Sequence, residues 1–425
     1  MIDLDANATT PLDPRVLDAM KPHFLAGGNP ESRHSLGRLA RKAWNDAREI
    51  SASILGAHPD ELTFTSGGTE ANNTAIFGLI NRLQHPTDSE PNTVLLSTIE
   101  HPAIAEPLAH LHKIGKLKTI HLPVQNNGIT SLSCWLEQLK KDRKPILATC
   151  MLANNETGAI QPISEIASAA ADLGIAFHTD AVQAVGRIDV NFHNLGVTSL
   201  AAGSHKMHGP PGIGILLIKS GTRIEPVMHG GGQQRKLRPG TPPVALAVGL
   251  SKALELWDQE KTDRILQWSR LKSQFLNHLL AELANTSINF HMNSPETPDL
   301  CLPQTLNLWF DHPLFVGEVA LIQLDLAGLA VSLGSACASG SNQPSPILKA
   351  MGFHDTRAKS SIRISFSAMT SEQDVFESAK ILAKTALNLI NSHESSDMEI
   401  LIGKARRRFS SQPHSQNQDQ SDNSP

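Results

Sequence analysis

The amino-acid sequence predicts an α/β fold built on a mostly parallel sheet. Up to about Ile218, short apolar segments typical of strands alternate with amphipathic segments typical of helices. The residues best suited to chemistry follow the ends of these strands, where an open α/β sheet binds its ligands. With 425 residues, 40% of them hydrophobic, the chain can bury a sizeable core in two domains or in one large unit with a smaller lobe.

The first half of the chain supplies most of the alternation. Predicted strands are, in order, IDLD, ELTF, TVLLST, KTIHLPV, PILATCMLA, IAFHTD, SLAAGS and GIGILLI. Predicted helices run from Asp13-Pro14 to about His23, from the loop GNPESRHSLG to about Leu55, from near Thr69, from near His101, over 131–141, over 163–173 and from about Pro243.

The second half of the chain has a different pattern of predicted helices and strands. A separate polar helix from about Gln259 to Asn285 leads to the strand-like segments INFHMN, TLNLWF and SIRISFS and to a closing helix over 371–391. From Ser392 the chain is rich in Ser, Gln, Asn and Asp, which predicts a disordered tail. We interpret its basic cluster, Lys404–Arg408, as a solvated patch rather than a binding site.

Composition excludes several classes of protein. A net charge of −4 gives no reason to expect a nucleic-acid or anionic-membrane partner. No apolar run approaches the length of a bilayer span, and the acidic start MIDLDANATT lacks the basic region of a signal peptide. The four cysteines lack metal-site spacing and are too few for a disulfide framework. These features predict a cytoplasmic protein without a metal site or a membrane partner.

Lys206 is the first candidate for chemistry. It lies between two apolar strands, in AAGSHKMHGPPGIGILLI, and burial lowers the pKa of a lysine and leaves a nucleophilic amine. Such an amine can form an imine with a carbonyl cofactor, usually pyridoxal phosphate. The alternative is a lysine whose stem lies along the strand end while its charge reaches water.

Other strand ends carry residues that suit the same cofactor. The segment Ser66–Thr69 predicts a phosphate-binding turn, although a glycine turn before a helix is common. Asp180 could keep a pyridine nitrogen protonated or could simply cap a helix. Gln183 could donate to a ring phenolate or be a surface residue. His101 could stack on a ring and transfer a proton, or be structural.

Three further residues suggest a substrate site. Asn155 lies in a polar cluster, MLANNETGAI, at another strand end. Arg363, mid-strand in SSIRISFS, could bind a carboxylate through both arms of its guanidinium or form an internal ion pair. Cys337 lies among small residues in VSLGSACASGSNQP, which indicates an exposed nucleophilic thiol; the other three cysteines lie in structural surroundings.

Together these stretches resemble the pyridoxal-phosphate-dependent cysteine desulfurases of the class-V aminotransferase type with a long nucleophile loop. The matching motifs cover about residues 2–390 in the family's order and are LDANATTPLDPRV, GNPESRHSLG, LTFTSGGTEANN, STIEHPAI, NNETGAIQPI, HTDAVQAVGRIDV, SHKMHGPPGIG, RPGTPPV, SLGSACASGS and SSIRIS. Each motif alone is weak evidence, but the ordered set is specific.

The resemblance implies a role for each candidate. Lys206 is similar to the cofactor-bound lysine, and Cys337 to the persulfide-forming cysteine. Further cofactor contacts are implied for the ring-stacking His101, the nitrogen partner Asp180, the phenolate partner Gln183 and the phosphate-site residues Gly68, Thr69, Ser204, His205 and Thr241. Asn155 and Arg363 match the substrate-binding positions. Thr241 matches a threonine that reaches the phosphate of the other subunit, which implies a homodimer.

The chain departs from the family's pattern in several places. The family usually has Ser-x-His-Lys where this chain has Gly203-Ser204-His205-Lys206, so the hydroxyl has moved by one position. Leu333 stands where a small residue is more usual, and Ser367 where the family often has glycine. Pro239 and Pro242 bracket the loop that contains Thr241.

Fold and domains follow from the resemblance as expectations. It implies the fold of type I pyridoxal-phosphate transferases, with a large domain on a mostly parallel seven-stranded sheet and a smaller α+β domain. The expected division is an N-terminal segment, 1–12, packing with the small domain; the cofactor-binding domain, 13–257; the small domain with the nucleophile loop, 258–391; and the tail, 392–425.

The implied activity converts L-cysteine to L-alanine and leaves its sulfur as a persulfide on Cys337, for delivery to an iron–sulfur scaffold or a thiolation relay. Two alternatives stay open. One is a selenocysteine lyase or another aminotransferase or lyase of the same fold, although a transaminase needs no loop thiol. The other is a weakly catalytic subunit that binds a partner, against which the intact set Lys206, Asp180, His101 and Cys337 argues.

Overall fold

The computed structural model describes residues 1–83, 91–141, 144–333 and 343–391. The strands are β1 (Ile2–Asp3), β2 (Leu62–Thr65), β3 (Asn92–Ser97), β4 (Leu117–Leu122), β5 (Leu147–Thr149), β6 (Ala176–Asp180), β7 (Ser199–Gly203), β8 (Gly214–Ile218), β9 (Phe290–Met292), β10 (Thr305–Phe310), β11 (Leu329–Ala330) and β12 (Ser361–Ser365). The α-helices are α1 (Pro14–Leu25), α2 (Ser35–Ile54), α3 (Gly68–Leu83), α4 (Pro102–Lys113), α5 (Leu132–Leu139), α6 (Ile163–Asp172), α7 (Phe192–Leu195), α8 (Val244–Leu283), α9 (Gly317–Leu326), α10 (Pro346–Ala350), α11 (Asp355–Lys359) and α12 (Glu372–Asn391).

A seven-stranded sheet in the order β2-β8-β7-β6-β5-β3-β4 confirms the predicted α/β class. The pairs from β7 to β4 are all parallel, and only β8 runs against its two neighbours, β7 and β2. The other six strands therefore point the same way, and their carboxyl ends meet at one edge. The polar segments that follow β2, β3, β5, β6 and β7 are brought together there.

The two largest apolar clusters of the described residues, called here the first and second core, support this sheet and the region that follows it. The first contains Trp44, Phe64, Phe177 and Leu250 and lies around the seven-stranded sheet. The second contains Trp268, Phe275, Phe310 and Leu382, among others, and lies around the antiparallel sheet β12-β10-β9.

One helix joins the two cores. The sequence pattern predicts two helices that meet near residue 258, but α8 is a single helix of 40 residues. Its apolar stripe changes direction there: Leu250 and Leu254 face the first core, and Leu271 and Phe275 the second. The polar residues between these stripes, Asp258 to Lys261, include no glycine or proline, so the helix continues through the point where its hydrophobic pattern breaks.

The N-terminal segment belongs structurally with the second core. β1 pairs in parallel with β11, and Leu4 is fully buried in the second core. Asp5 forms a bridge to Ser365 at the end of β12. Immediately afterwards the chain turns towards the edge of the large sheet, which places residues 6–10 between the two cores.

Some predictions fall on residues that the structure leaves undescribed. Cys337, within 334–342, and the tail from 392 onward, with its basic cluster, lie outside the described residues. Across the ranges given above, no helix is both long and apolar enough to cross a membrane. The same ranges contain no cluster of three or more metal-binding side chains.

Candidate active site

Lys206 lies at the centre of the edge where the strands end. The chain leaves β7 at Gly203 and forms a 3₁₀ turn over Ser204–Lys206. The amine Nζ donates to the carbonyl oxygens of Asn7, at 2.5 Å, and Ala8, at 3.0 Å. Burial, followed by the charges of Arg187 and Arg363, lowers the pKa of Lys206 to about 7. A large fraction of this lysine is therefore an unprotonated, nucleophilic amine at neutral pH.

Asp180 ends β6 next to this turn and is buried. Its Oδ1 accepts from the backbone N–H of Val182 at 2.9 Å, as in the capping alternative, and its Oδ2 accepts from Asn72 Nδ2 at 2.7 Å. Both carboxyl oxygens of Asp180 are thus held in place by donors, and this fixed orientation suits the predicted partner of a ring nitrogen.

A buried chain of polar groups holds Asn72, which sequence reasoning did not select. His178 Nε2 lies 3.0 Å from Asn72 Oδ1, and His178 Nδ1 lies 2.8 Å from Ser199 Oγ. Burial lowers the pKa of His178 to about 3, so the ring is neutral. Because Asn72 turns its NH2 group to Asp180, Nε2 carries the ring proton and Nδ1 accepts from Ser199. The position of Asn72, one helical turn after Gly68, is the signal that could have identified it.

The position of His101 is compatible with both its structural and its functional interpretation. It is the N-cap of α4, where Nδ1 accepts from the backbone N–H of Ala103 at 3.1 Å. This bond leaves the proton of the neutral ring on Nε2. Burial is the main cause that lowers the pKa of His101, and the charge of Lys206 acts in the same direction. A neutral, oriented imidazole therefore lies close to Asp180 and Lys206.

The predicted phosphate turn connects β2 to α3, which begins at Gly68. A side chain on Gly68 would come within 2.5 Å of Val182 Cγ2, so only glycine lets the helix start this close to the segment after Asp180. Thr69 follows in the first turn. The free N–H groups of this 16-residue helix form a site suited to an anion.

Ser204 and His205 lie on the turn before Lys206, and their phosphate contacts stay predictions. The Ser204 hydroxyl is buried next to Gly209, whose Cβ would come within 2.1 Å of it. The position facing the turn is Gly203, whose Cβ would lie 3.7 Å from the N of Gly68. His205 Nδ1 lies 3.1 Å from Thr9 Oγ1, and burial lowers the pKa of His205 to about 4.

Asn155 and Arg363 meet on the side of the second core. Arg363 Nη1 donates to the Asn155 carbonyl at 3.0 Å, and Nη2 forms an ion pair with Asp5 Oδ1 at 2.6 Å. The ion-pair alternative for Arg363 is therefore present in the structure. Asn154, fully buried, shapes the loop by accepting from the backbone N–H groups of residues 156 and 157. The arrangement places a buried cation next to the Asn155 carbonyl and the Asp5 carboxyl group.

Asn7, in the segment before α1, links these groups, and the sequence patterns did not predict this role. Its Nδ2 donates to the Asn155 carbonyl at 3.1 Å and to Thr305 Oγ1 at 3.0 Å. Its own carbonyl accepts from Gln183 Nε2 at 3.0 Å as well as from Lys206. Gln183 is buried, not a surface residue. Thr241, by contrast, is exposed in the loop before α8, and its phosphate contact with a second subunit stays a prediction.

Comparison with known proteins identifies the family. The Aminotransferase class-V model matches residues 2–377. The cysteine desulfurase IscS of Dictyoglomus turgidum is 39% identical over 382 residues, which are 90% of this chain and 93% of the relative. The cysteine desulfurase NifS of Azotobacter vinelandii is 38% identical over 377 residues, 88% of this chain and 89% of the relative. The chain belongs to the cysteine desulfurases of aminotransferase class V. Family membership confirms that it is an enzyme.

Solved structures of desulfurase-like proteins share the fold. A NifS-like protein superposes with a TM-score of 0.81 at 31% identity and covers 90% of this chain and 98% of its own. DndA from Streptomyces lividans superposes with a TM-score of 0.69 at 35% identity and covers 84% of this chain and 97% of its own. These neighbours confirm the fold-type-I expectation for this desulfurase chain.

Proposed function

We propose that this chain is a pyridoxal-phosphate-dependent desulfurase that converts L-cysteine to L-alanine and keeps the sulfur as a persulfide on Cys337. The observation that carries the proposal is the Lys206 amine, which is buried, has a pKa lowered to about 7 and lies close to the Asp180 carboxyl group and the His101 ring. Groups with perturbed pKa values cluster at functional sites, which favours a chemical role for Lys206 over a structural one.

The donor set fits the cofactor. Lys206 would hold its aldehyde carbon, Asp180 its ring nitrogen, and the N-terminus of α3 at Gly68 and Thr69 its phosphate. When bound, pyridoxal phosphate would supply an electron sink for the bonds around the substrate Cα. Gln183 turns its NH2 group towards the same space, where it can donate to the ring oxygen.

The protein's own residues then have separate tasks. Arg363 binds the substrate carboxylate, and Asn155 lies beside it, so that the reacting bonds are aligned. The Lys206 amine can accept the Cα proton, and the neutral His101 can transfer a proton at Nε2. The Cys337 thiolate attacks the substrate sulfur: an S–S bond forms, the Cβ–S bond breaks, and the carbon fragment takes up protons and leaves as alanine.

The wider setting is also part of the proposal. The functional division is the cofactor-binding domain, 13–257, and a smaller domain, 258–391, with residues 1–12 attached to the latter through β1 and Leu4. Since Thr241 is exposed in the single chain, we propose a homodimer in which it completes the partner's phosphate site. The enzyme would work in the cytoplasm and pass its sulfur to an iron–sulfur scaffold or a thiolation protein.

The Cys337→Ser variant tests the reaction. It should bind pyridoxal phosphate and L-cysteine normally, because the groups around Lys206 are intact, but release no alanine, since a serine hydroxyl is a poor nucleophile towards sulfur. Mass spectrometry of the wild type after L-cysteine should show one extra sulfur on the Cys337 peptide. Equal alanine release by both forms would refute the proposal and favour another lyase or a transaminase.

Light scattering tests the dimer. The active enzyme should run as a homodimer at assay concentration, and Thr241→Ala should weaken cofactor retention while leaving the dimer intact. A fully active monomer would contradict the shared site.

A further inference from the structure

Arg187 is a buried cation that the assigned roles leave unused. Its side chain is 2% exposed. It donates to Gln183 Oε1 at 2.7 Å, to the Ala6 carbonyl at 2.7 Å and to the Lys206 carbonyl at 3.2 Å, and it also bonds Asn7 Oδ1. All four acceptors are uncharged oxygens. In the described part of the chain, none of the ion pairs involves Arg187, so its charge is held by dipoles alone.

These bonds fix the orientation of a neighbouring amide. Because Arg187 occupies Oε1 of Gln183, the NH2 group of Gln183 must face the other way. There it donates to the Asn7 carbonyl, the same oxygen that accepts from Lys206 Nζ. The amide of Gln183 and the amine of Lys206 therefore meet at one oxygen, and Arg187 holds both the amide and the lysine's own backbone.

We propose that Arg187 is a positioning residue of this site, which fixes the Gln183 amide with its donor side towards Lys206 and places one buried positive charge against the lysine amine. The proposal rests on the proposed role of Lys206. It assigns to Arg187 two separable effects, one that depends on the shape of the guanidinium and one that depends only on its charge.

The charge effect is consistent with the surroundings of Lys206. After burial, Arg187 is the first of the charges that lower the pKa of Lys206, and Arg363 acts in the same direction. Asp180 and Asp5 oppose them. The two nearby histidines, His101 and His205, both have lowered pKa values and are neutral near pH 7. Arg187 is thus the main cation next to the amine that is not itself a substrate-binding residue.

The experiment uses two variants that separate charge from shape. The apparent pKa of Lys206 is measured in cofactor-free, full-length protein from the pH dependence of its acylation by acetic anhydride, followed by peptide mass spectrometry. Arg187→Gln removes the charge and should raise the midpoint by about one unit, so that about fivefold less free amine is present at pH 7. Arg187→Lys keeps the charge and should leave the midpoint within about 0.3 units of the wild type.

The shape effect is measured by cofactor retention. Arg187→Lys cannot hold the Gln183 amide and the backbone oxygens together, so it should lose pyridoxal phosphate at least about fivefold faster on dialysis. Adding Gln183→Leu should then have little further effect. Wild-type retention in Arg187→Lys would overturn the positioning role, and this arm remains decisive should Arg187→Gln fail to fold.

A matched control is available in Arg264, which is also buried but pairs with Glu260. Arg264→Gln should leave the Lys206 midpoint unchanged, although it removes a buried arginine of the same chain. A folded Arg187→Gln protein with the wild-type midpoint would overturn the charge effect. Because the titration is done without cofactor or substrate, it can fail while the desulfurase reaction holds, and the Cys337 test can fail while the titration holds.

Discussion

Substituting Gly203 tests whether this desulfurase lacks one phosphate donor. Gly203 has φ −128° and ψ 135°, an extended conformation that any residue adopts. A Cβ there would lie 3.5 Å from Val182 Cγ1, 3.7 Å from the N of Gly68 and 3.7 Å from His205 Cδ2. These are ordinary van der Waals distances. A serine can therefore be added without strain, and its hydroxyl would lie near the first N–H of α3.

The expected gain follows from one hydrogen bond to a charged group. Such a bond contributes about 1.5–3 kcal/mol, and each 1.4 kcal/mol is about a tenfold change in affinity. We expect that Ser204 does not already supply this bond, because its hydroxyl is buried next to Gly209. Gly203→Ser should therefore lower the dissociation constant for pyridoxal phosphate by about tenfold or more.

The assay is reconstitution of cofactor-free protein, followed by the absorbance of the bound cofactor. Gly203→Ala is the control, because it adds the same Cβ and restricts the unfolded chain in the same way but has no hydroxyl. The serine variant should bind more tightly than the alanine variant. Equal affinity of the two would refute the idea that Gly203 faces an unfilled donor position.

Two further predictions concern the other side of the site. Burial raises the pKa of Glu156 from 4.5 to about 7. Between these two pH values the native state holds a proton that the unfolded state has lost, so the free energy of unfolding of the wild type falls as the pH rises from 4.5 towards 7 and beyond. In urea unfolding, Glu156→Gln should have the same free energy of unfolding as the wild type at pH 4.5 and a value up to about 3 kcal/mol higher at pH 8. An equal difference from the wild type at both pH values would contradict this prediction. Asp5→Asn removes the negative charge that pairs with Arg363 Nη2 and should lower the KM for L-cysteine about threefold, whereas a raised KM would mean that Asp5 orients Arg363.

Local pattern was enough to predict the large sheet and the edge at which the candidate residues gather. Parallel strands gather their carboxyl ends, so residues after β2, β3, β5, β6 and β7 could be assigned to one site before their contacts were known. Several alternatives proved compatible rather than exclusive. His101 caps a helix with one nitrogen and leaves the other for chemistry, and Arg363 pairs with Asp5 while bordering Asn155.

What the pattern could not predict are contacts between distant stretches. Asn7 meets Arg187 from 180 positions away and Thr305 from 298. Nothing in a local window distinguishes these residues from ordinary polar ones. The single helix α8 is a second case, because a change in the direction of an apolar stripe has the same pattern as a break between two helices.

The path of the N-terminal segment has a consequence for how the site works. Leu4 is fixed in the second core. Four residues later, the Ala8 carbonyl accepts from Lys206, which follows β7 of the large sheet. Between these two residues, the Ala6 carbonyl accepts a hydrogen bond from Arg187, and the Asn7 side chain donates one to the Asn155 carbonyl. A shift of the second core relative to the large sheet must therefore move the acceptors of the Lys206 amine, because so short a segment has little slack. The acceptors of the Lys206 amine, Asn7 and Ala8, and the ion-pair partner of Arg363, Asp5, thus lie on one short stretch of backbone.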